Sequence, residues 1–167
     1  MTPMPLPRAV QTAIFRLEKN GFEACVVGGC VRDHLMGIAP HDFDLTTNAR
    51  PDRIKACFHG FPVIETGIAH GTVTVLIDKM PLEITTFRID GDYADHRHPD
   101  AVAFTDDLTQ DLARRDFTDN AMAYSPSRGI VDPFGGQNDL SRGVIRCVGE
   151  AEKRFDEDAL RILRALR

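Results

Sequence analysis

The chain has 167 residues, 43% hydrophobic and 27% charged, the profile of one ordinary globular domain or of one plus the start of another. Its 20 Lys and Arg against 25 Asp and Glu leave a net charge of −5, which excludes a protein that coats nucleic acid with its whole surface but permits a local basic face. No apolar run approaches a membrane span, the N-terminus lacks the apolar run of a signal peptide, and Cys25, Cys30, Cys57 and Cys147 show neither C-x-x-C nor paired zinc spacing. Free thiols in a reducing cytoplasm are therefore expected, with no disulfide framework.

The first element is an amphipathic helix over 6–20. Leu6, Ala9, Val10, Ala13, Ile14 and Leu17 recur at helical spacing, and Gly21 stands where a C-terminal cap would. Residues 22–27 (FEACVV) read as a buried strand. Gly28 and Gly29 follow at once, and a short helix runs from there to Gly37. HDFDLTT (41–47) alternates as a strand, with Phe43 and Leu45 on one side and Asp42, Asp44 and Thr46 on the other. Pro51 suits the first turn of a helix through Phe58. TVTVLID (72–78) and LEITTFR (82–88) read as an antiparallel hairpin. A loop over 90–100, a short strand at 101–105, helical turns around 107–123 and a DPFGG loop (132–136) come next. The last fourteen residues, RFDEDALRILRALR, read as one helix whose apolar stripe is Phe155, Ala159, Ile162, Leu163 and Leu166. The chain stops inside that helix, so the expected organisation is a head over 1–150 and the truncated start of a helical neck over 151–167.

The chemistry centres on Asp42 and Asp44. Carboxylates two apart on a strand share a face, and like charges that close repel unless a cation lies between them. A hard ion such as Mg²⁺ takes oxygen ligands, which a D-h-D pair supplies. Glu83 joins them as a third acidic group if its strand neighbours theirs. For the pair alone, a solvated turn or edge is the favoured reading. Gly28-Gly29 alters the balance: bare backbone between a strand and a helix admits a phosphate. A phosphate cradle followed by a metal-binding pair is what nucleotidyl transfer needs, one ion activating the attacking hydroxyl and both stabilising charge at the α-phosphate and the leaving pyrophosphate. The turn lacks G-x-G-x-x-G and the Walker lysine, which removes dinucleotide and P-loop readings.

GGCVRD (28–33), HDFDLTT (41–47), TGIAHGTVTV (66–75), LEITTFR (82–88), RRDFTDNAMAY (114–124), DPFGG (132–136), IRCVGEAEKRF (145–155) and EDALRILRALR (157–167) together resemble the head and first neck helix of the class II tRNA nucleotidyltransferases. These are the CCA-adding enzymes, close relatives of bacterial poly(A) polymerases. The resemblance covers nearly the whole chain in the family order. It implies an α/β fold of the α+β mixed-sheet kind, a polymerase-beta-like nucleotidyltransferase head with flanking helices followed by a helical neck. It implies Mg²⁺ at a two-metal site on Asp42 and Asp44, a triphosphate facing Gly28 and Gly29, and nucleotide contacts from Arg32, Asp33 and Arg115, with Asp116 and Asn120 ordering that region. The family commonly has an apolar residue where this chain has Asp119. The loop over 90–99 matches the family's flexible loop.

Asp158 and Arg161, at i and i+3, share one face of the expected helix. The plain reading is a surface salt bridge. The functional one is a protein template, since a carboxylate accepts from the exocyclic amine of cytosine or adenine while a guanidinium donates to the ring nitrogen beside it. Guanine and uracil present the opposite polarity. EDALR matches the family's EDxxR motif at every fixed position. Arg164 and Arg167 continue the basic face toward phosphates, or form a solvated surface. His96 and His98 lie in the loop without a third ligand, and His70 is given only a turn hydrogen bond. The implied activity is addition of C and A from CTP and ATP to the 3′ end of tRNA. The rivals are polyadenylation, addition of CC alone or A alone, and a catalytically inactive RNA- or nucleotide-binding fragment.

Overall fold

The computed structural model describes residues 3–91 and 102–166. Helix α1 (Arg8–Lys19) leads into β1 (Ala24–Val27), α2 (Gly29–Leu35), β2 (Asp44–Thr47), α3 (Pro51–Cys57), β3 (Val63–Ile64), β4 (Thr72–Ile77) and β5 (Met80–Thr86). Then come β6 (Arg88–Asp90), β7 (Val102–Phe104), α4 (Leu108–Ala113), β8 (Ala123–Ser125), β9 (Gly129–Val131), α5 (Gly136–Ser141), α6 (Ala151–Glu157) and α7 (Leu160–Leu166).

Seven strands form one mixed sheet in the order β3-β4-β5-β2-β1-β8-β9, and β6 pairs with β7 apart from it. Of the sheet's pairings only β2–β5 is parallel. Its register sets Asp44 beside Glu83 and Leu45 beside Ile84. Period-2 alternation then sorts the side chains. Leu45, Val73, Val75, Leu82 and Ile84 face α1 and α3, where Val10, Ile14, Leu17, Ile54 and Phe58 complete the larger core. Burying each such side chain contributes roughly 1.5–3 kcal/mol. Cys25, Val27, Phe87, Leu108, Leu112 and Ala123 close a smaller core on the opposite face. That second face also carries Asp44, Thr46, Glu83 and Thr85, so the sheet is apolar on one side and chemically equipped on the other.

Several expectations change. The strand expected at 22–27 begins at Ala24, and the one expected at 41–47 begins at Asp44, so Asp42 stands in the extended lead-in. The helical turns expected through 123 end at a 3-10 turn, Thr118–Asn120, because Ala123–Ser125 pairs with both β1 and β9. Helix α5 was not anticipated. The single C-terminal helix is two. Asp158 is extended at φ −145° and ψ 104°, and its carboxylate accepts from the Leu160 amide at 3.0 Å, capping α7 as short acidic side chains do. Its apolar stripe is not a buried one either: Ile162, Leu163 and Leu166 are exposed, and Arg161 is the buried member of α7.

Candidate active site

An open cavity of about 1060 Å³ lies over the second face of the sheet. Gly28 forms its floor at φ +80° and ψ −134°, a conformation that disfavours any side chain. A Cβ there would approach Arg115 Nη1 to 3.5 Å, and one on Gly29 would approach Arg32 Nη2 to the same distance. Both distances are ordinary contact, so at Gly28 it is the positive φ, not the available space, that calls for glycine.

Each guanidinium is held by acids. Arg32 donates through Nε and Nη2 to Asp33 Oδ1, at 3.0 and 2.8 Å, and through Nη1 to Asn120 Oδ1 at 2.8 Å. Asn120 in turn donates to Asp116 Oδ1 at 3.3 Å, and Arg164 Nε reaches Asp116 Oδ2 at 2.6 Å. Arg115 is 19% exposed and lies 3.8 Å from Asp111. Burial, and secondarily the charge of Arg114, lower its pKa to about 10, so it stays charged at neutral pH. Its Nε is buried with no hydrogen-bond partner among the described residues.

Asp44 and Glu83 line this cavity. Asp42 does not: it lines an adjoining groove of about 720 Å³ that Asp44 and Glu83 also border. Burial pushes the Asp44 carboxyl up, Arg115 opposes this, and the charge of Asp42 pushes it further up. Mutually repelling carboxylates on a polar face suit a hard divalent ion, which takes one or two of them and fills its shell with water and phosphate oxygens. Among the described residues no group of three His, Cys, Asp or Glu side chains is placed to hold a metal ion by itself. The donor set fits an open, substrate-completed site.

Asp158 and Arg161 also line the cavity. Arg161 donates to Glu157 Oε2 at 2.9 Å and to the Arg154 and Arg114 carbonyls at 3.0 and 3.3 Å, while Asp158 caps α7. The break between α6 and α7 removes the shared helix face that i, i+3 spacing implied. Arg167, His96 and His98 lie outside the described residues, as does most of the 90–99 loop. The His70 carbonyl accepts from Arg88 Nη1 at 2.5 Å, and Asp119 is half-buried at the cavity wall, with Oδ1 unpartnered among the described residues and its carboxyl pushed up by burial.

Sequence reasoning missed Asp111. It is fully buried and accepts from Thr46 Oγ1 at 2.9 Å, the Arg88 amide at 3.0 Å and Arg114 Nε at 3.2 Å, tying β2, β6 and the Arg114–Arg115 pair together. The available signal was an acid between Leu108 and Leu112, on the stripe of α4 that faces the core.

A mixed sheet presenting carboxylates beside a two-glycine turn and an arginine cluster is the architecture of the poly A polymerase head class. Residues 24–146 match the poly A polymerase head domain, and the chain belongs to that family. It is 50% identical over 157 residues to a CCA-adding enzyme of Leuconostoc mesenteroides, covering 94% of this chain and 39% of that one. A Staphylococcus aureus CCA-adding enzyme is 50% identical over 153 residues, covering 91% and 38%. The Bacillus stearothermophilus CCA-adding enzyme in complex with CTP superposes with TM-score 0.84 at 43% identity, over 96% of this chain and 39% of that one. A tRNA nucleotidyltransferase complexed with a primer tRNA and an incoming ATP analog gives TM-score 0.68 at 34% identity, over 92% and 43%. The chain therefore spans about two fifths of the length of these relatives.

Proposed function

We propose that this chain is the catalytic head of an enzyme that adds C and A from CTP and ATP to the 3′ end of tRNA without a nucleic-acid template, releasing pyrophosphate. The observation that carries the reading is the gathering of Gly28, Gly29, Arg32, Arg115, Asp44 and Glu83 around one cavity. The relatives named CCA-adding enzymes, and the solved complexes with CTP and with primer tRNA plus an ATP analog, support the choice of substrates.

In this reading the triphosphate lies on the Gly28-Gly29 backbone with Arg32 and Arg115 against its charge. Asp33, Asp116 and Asn120 hold the Arg32 side of the cavity in place through the bonds described above. Asp42 and Asp44 would hold divalent Mg²⁺, with Glu83 a further acidic group beside them; the ion when bound supplies charge to lower the hydroxyl pKa and to stabilise the leaving pyrophosphate. The tRNA 3′-oxygen attacks the α-phosphorus in line, its proton departs, and the bond to pyrophosphate breaks. Asp158, an acceptor, and Arg161, a donor, offer the polarity that cytosine and adenine share. Arg164, paired with Asp116 at the cavity, would add positive charge for phosphates, a role the family resemblance also gives to Arg167. The family match ends at residue 146 and α6 begins at Ala151, which supports a head over 1–150 and the start of a neck over 151–167. No helix among the described residues is long and apolar enough to cross a membrane, and four free cysteines favour a cytoplasmic setting.

The test supplies a tRNA lacking its tail with each labelled nucleotide and Mg²⁺, then sequences the 3′ ends. The expected product is C, C, then A. Long A runs would move the assignment to polyadenylation. Chelation should abolish incorporation and Mn²⁺ should restore it, and incorporation that survives Asp42→Ala combined with Asp44→Ala would remove the metal assignment.

A further inference from the structure

Asp111 has no exposed surface and stands behind the cavity wall, which Arg114, Arg115 and Asp116 form instead. A buried carboxylate needs partners, and its two oxygens take different ones. Oδ1 accepts from the Arg88 amide at 3.0 Å and from Arg114 Nε at 3.2 Å. Oδ2 accepts from Thr46 Oγ1 at 2.9 Å and lies 3.8 Å from Arg115 Nη2, too far for a hydrogen bond. Three bonds therefore fix the carboxylate, and its charge faces Arg115 without a bond between them.

Arg115 spans from that carboxylate to the strand of the catalytic acids. Nη2 faces Asp111, while Nη1 lies 3.5 Å from where a Cβ on Gly28 would stand. Gly28 follows Val27, the register partner of Asp44. The Nε between them is buried with no hydrogen-bond partner among the described residues. Burial and the charge of Arg114 work against the Arg115 cation, and the acid that opposes them most strongly is Asp111, followed by Asp44. Released from Asp111, the guanidinium would be drawn to the Asp44 carboxylate. There it would compete with a divalent ion for that carboxylate and turn its donors away from a triphosphate.

We propose that Asp111 is a positioning residue for Arg115: it holds the guanidinium off Asp44, so that the cavity keeps separate places for a triphosphate and for a divalent ion. The assignment rests on the nucleotidyl-transfer reading above and adds the counter-charge behind its central arginine. Asp111 acts only through that arginine.

The experiment uses Asp111→Asn in the 167-residue chain. The new amide oxygen takes the Arg88 amide and Arg114, and its NH₂ donates to Thr46 Oγ1, whose own proton has the Thr85 carbonyl at 3.3 Å. The hydrogen bonds are thus kept while the charge is removed. In calorimetry with chelator present, CTP should bind about fivefold more weakly, the scale of coupling within one charge network. Loss of a negative charge acting through space would instead tighten the binding of an anion. Mn²⁺ binding without nucleotide, read by electron paramagnetic resonance, should weaken by about the same factor. In an Arg115→Met background, where Arg32 still binds CTP, Asp111→Asn should change neither affinity. Thr46→Val keeps a β-branched residue in the strand but leaves Oδ2 to Arg115 alone, which is then drawn inward. CTP should bind it about twofold more weakly, again only while Arg115 is present. That variant decides the matter if Asp111→Asn does not fold. The proposal is overturned if the parent binds no CTP, if either variant binds CTP as tightly as the parent or more tightly, if Asp111→Asn keeps the parent's Mn²⁺ affinity, or if the losses persist in the Arg115→Met background. Incorporation of C and A is read separately. Its absence from a parent that shows these binding changes would remove the catalytic reading and leave the pairing of Asp111 with Arg115 standing.

Discussion

Asp44 carries a tension between stability and use. Burial and the neighbouring Asp42 charge raise its pKa, with Arg115 pulling the other way. For an acid raised in this way the ionised form weighs against the fold, so the metal-free protein gains stability as pH falls through the raised value. Asp44→Asn should therefore melt higher than the parent at neutral pH without metal, while losing the upward shift that Mn²⁺ gives the parent. A lower melting temperature in the metal-free mutant would contradict this account. Gly28 shows the opposite dependence, on the absence of a side chain. Gly28→Ala places a methyl group at φ +80°, 3.5 Å from Arg115 Nη1. A loss of about 1–3 kcal/mol in denaturant unfolding is expected from this glycine-favouring backbone region alone.

The short helices around the cavity are joined by contacts that allow no added volume. A Cβ on Gly136, the first residue of α5, would fall 2.2 Å from the Thr118 carbonyl oxygen, which is backbone and cannot swing aside. Gly136→Ala should cost about 3 kcal/mol or more, measured by urea unfolding. At the other end, α6 and α7 meet at a residue with two jobs. Asp158 caps α7 in the structure and is proposed to read a base edge. Asn also caps well, but its amide adds donors to a purely accepting side chain. Asp158→Asn should keep the hydrogen-exchange protection of the Leu160 amide while lowering discrimination of CTP and ATP over GTP and UTP by about tenfold. Loss of protection together with selectivity would make the residue structural. Arg154 ties α6 back to the head through the Val148 and Ala113 carbonyls at 2.8 and 2.7 Å, which is why the break at Asp158 leaves both helices docked.

Across the whole molecule, one parallel pairing does most to place the chemistry. Placing β5 beside β2 sets Glu83 in register with Asp44, although 39 residues separate them in the chain. The two cores hold that pairing fixed, and their integrity has a chemical readout. Burial raises Cys25 and Cys30 to about 11, leaving almost no thiolate at pH 8, whereas Cys147 is half-buried. Iodoacetamide at pH 8 should modify Cys147 first. Modification of Cys25 and Cys30 should follow global unfolding, with the same denaturant midpoint as the loss of circular dichroism. Rapid labelling of either in native buffer would show that the cores open locally.

Much of this was written in short-range pattern. Period-2 alternation in 41–47 and 82–88 assigned Asp44 and Glu83 to faces, and the paired glycines marked the bare turn, because backbone geometry acts over a few residues. The adjacency of those strands, the buried carboxylate of Asp111 and the three-residue pairing of β8 came only with the assembled sheet. They depend on partners dozens of residues away, and no local periodicity encodes which strand lies next to which. The same holds at Asp158, where helical spacing ran on unbroken but a side-chain cap and the docking of Arg154 and Arg161 onto the head favoured a bend.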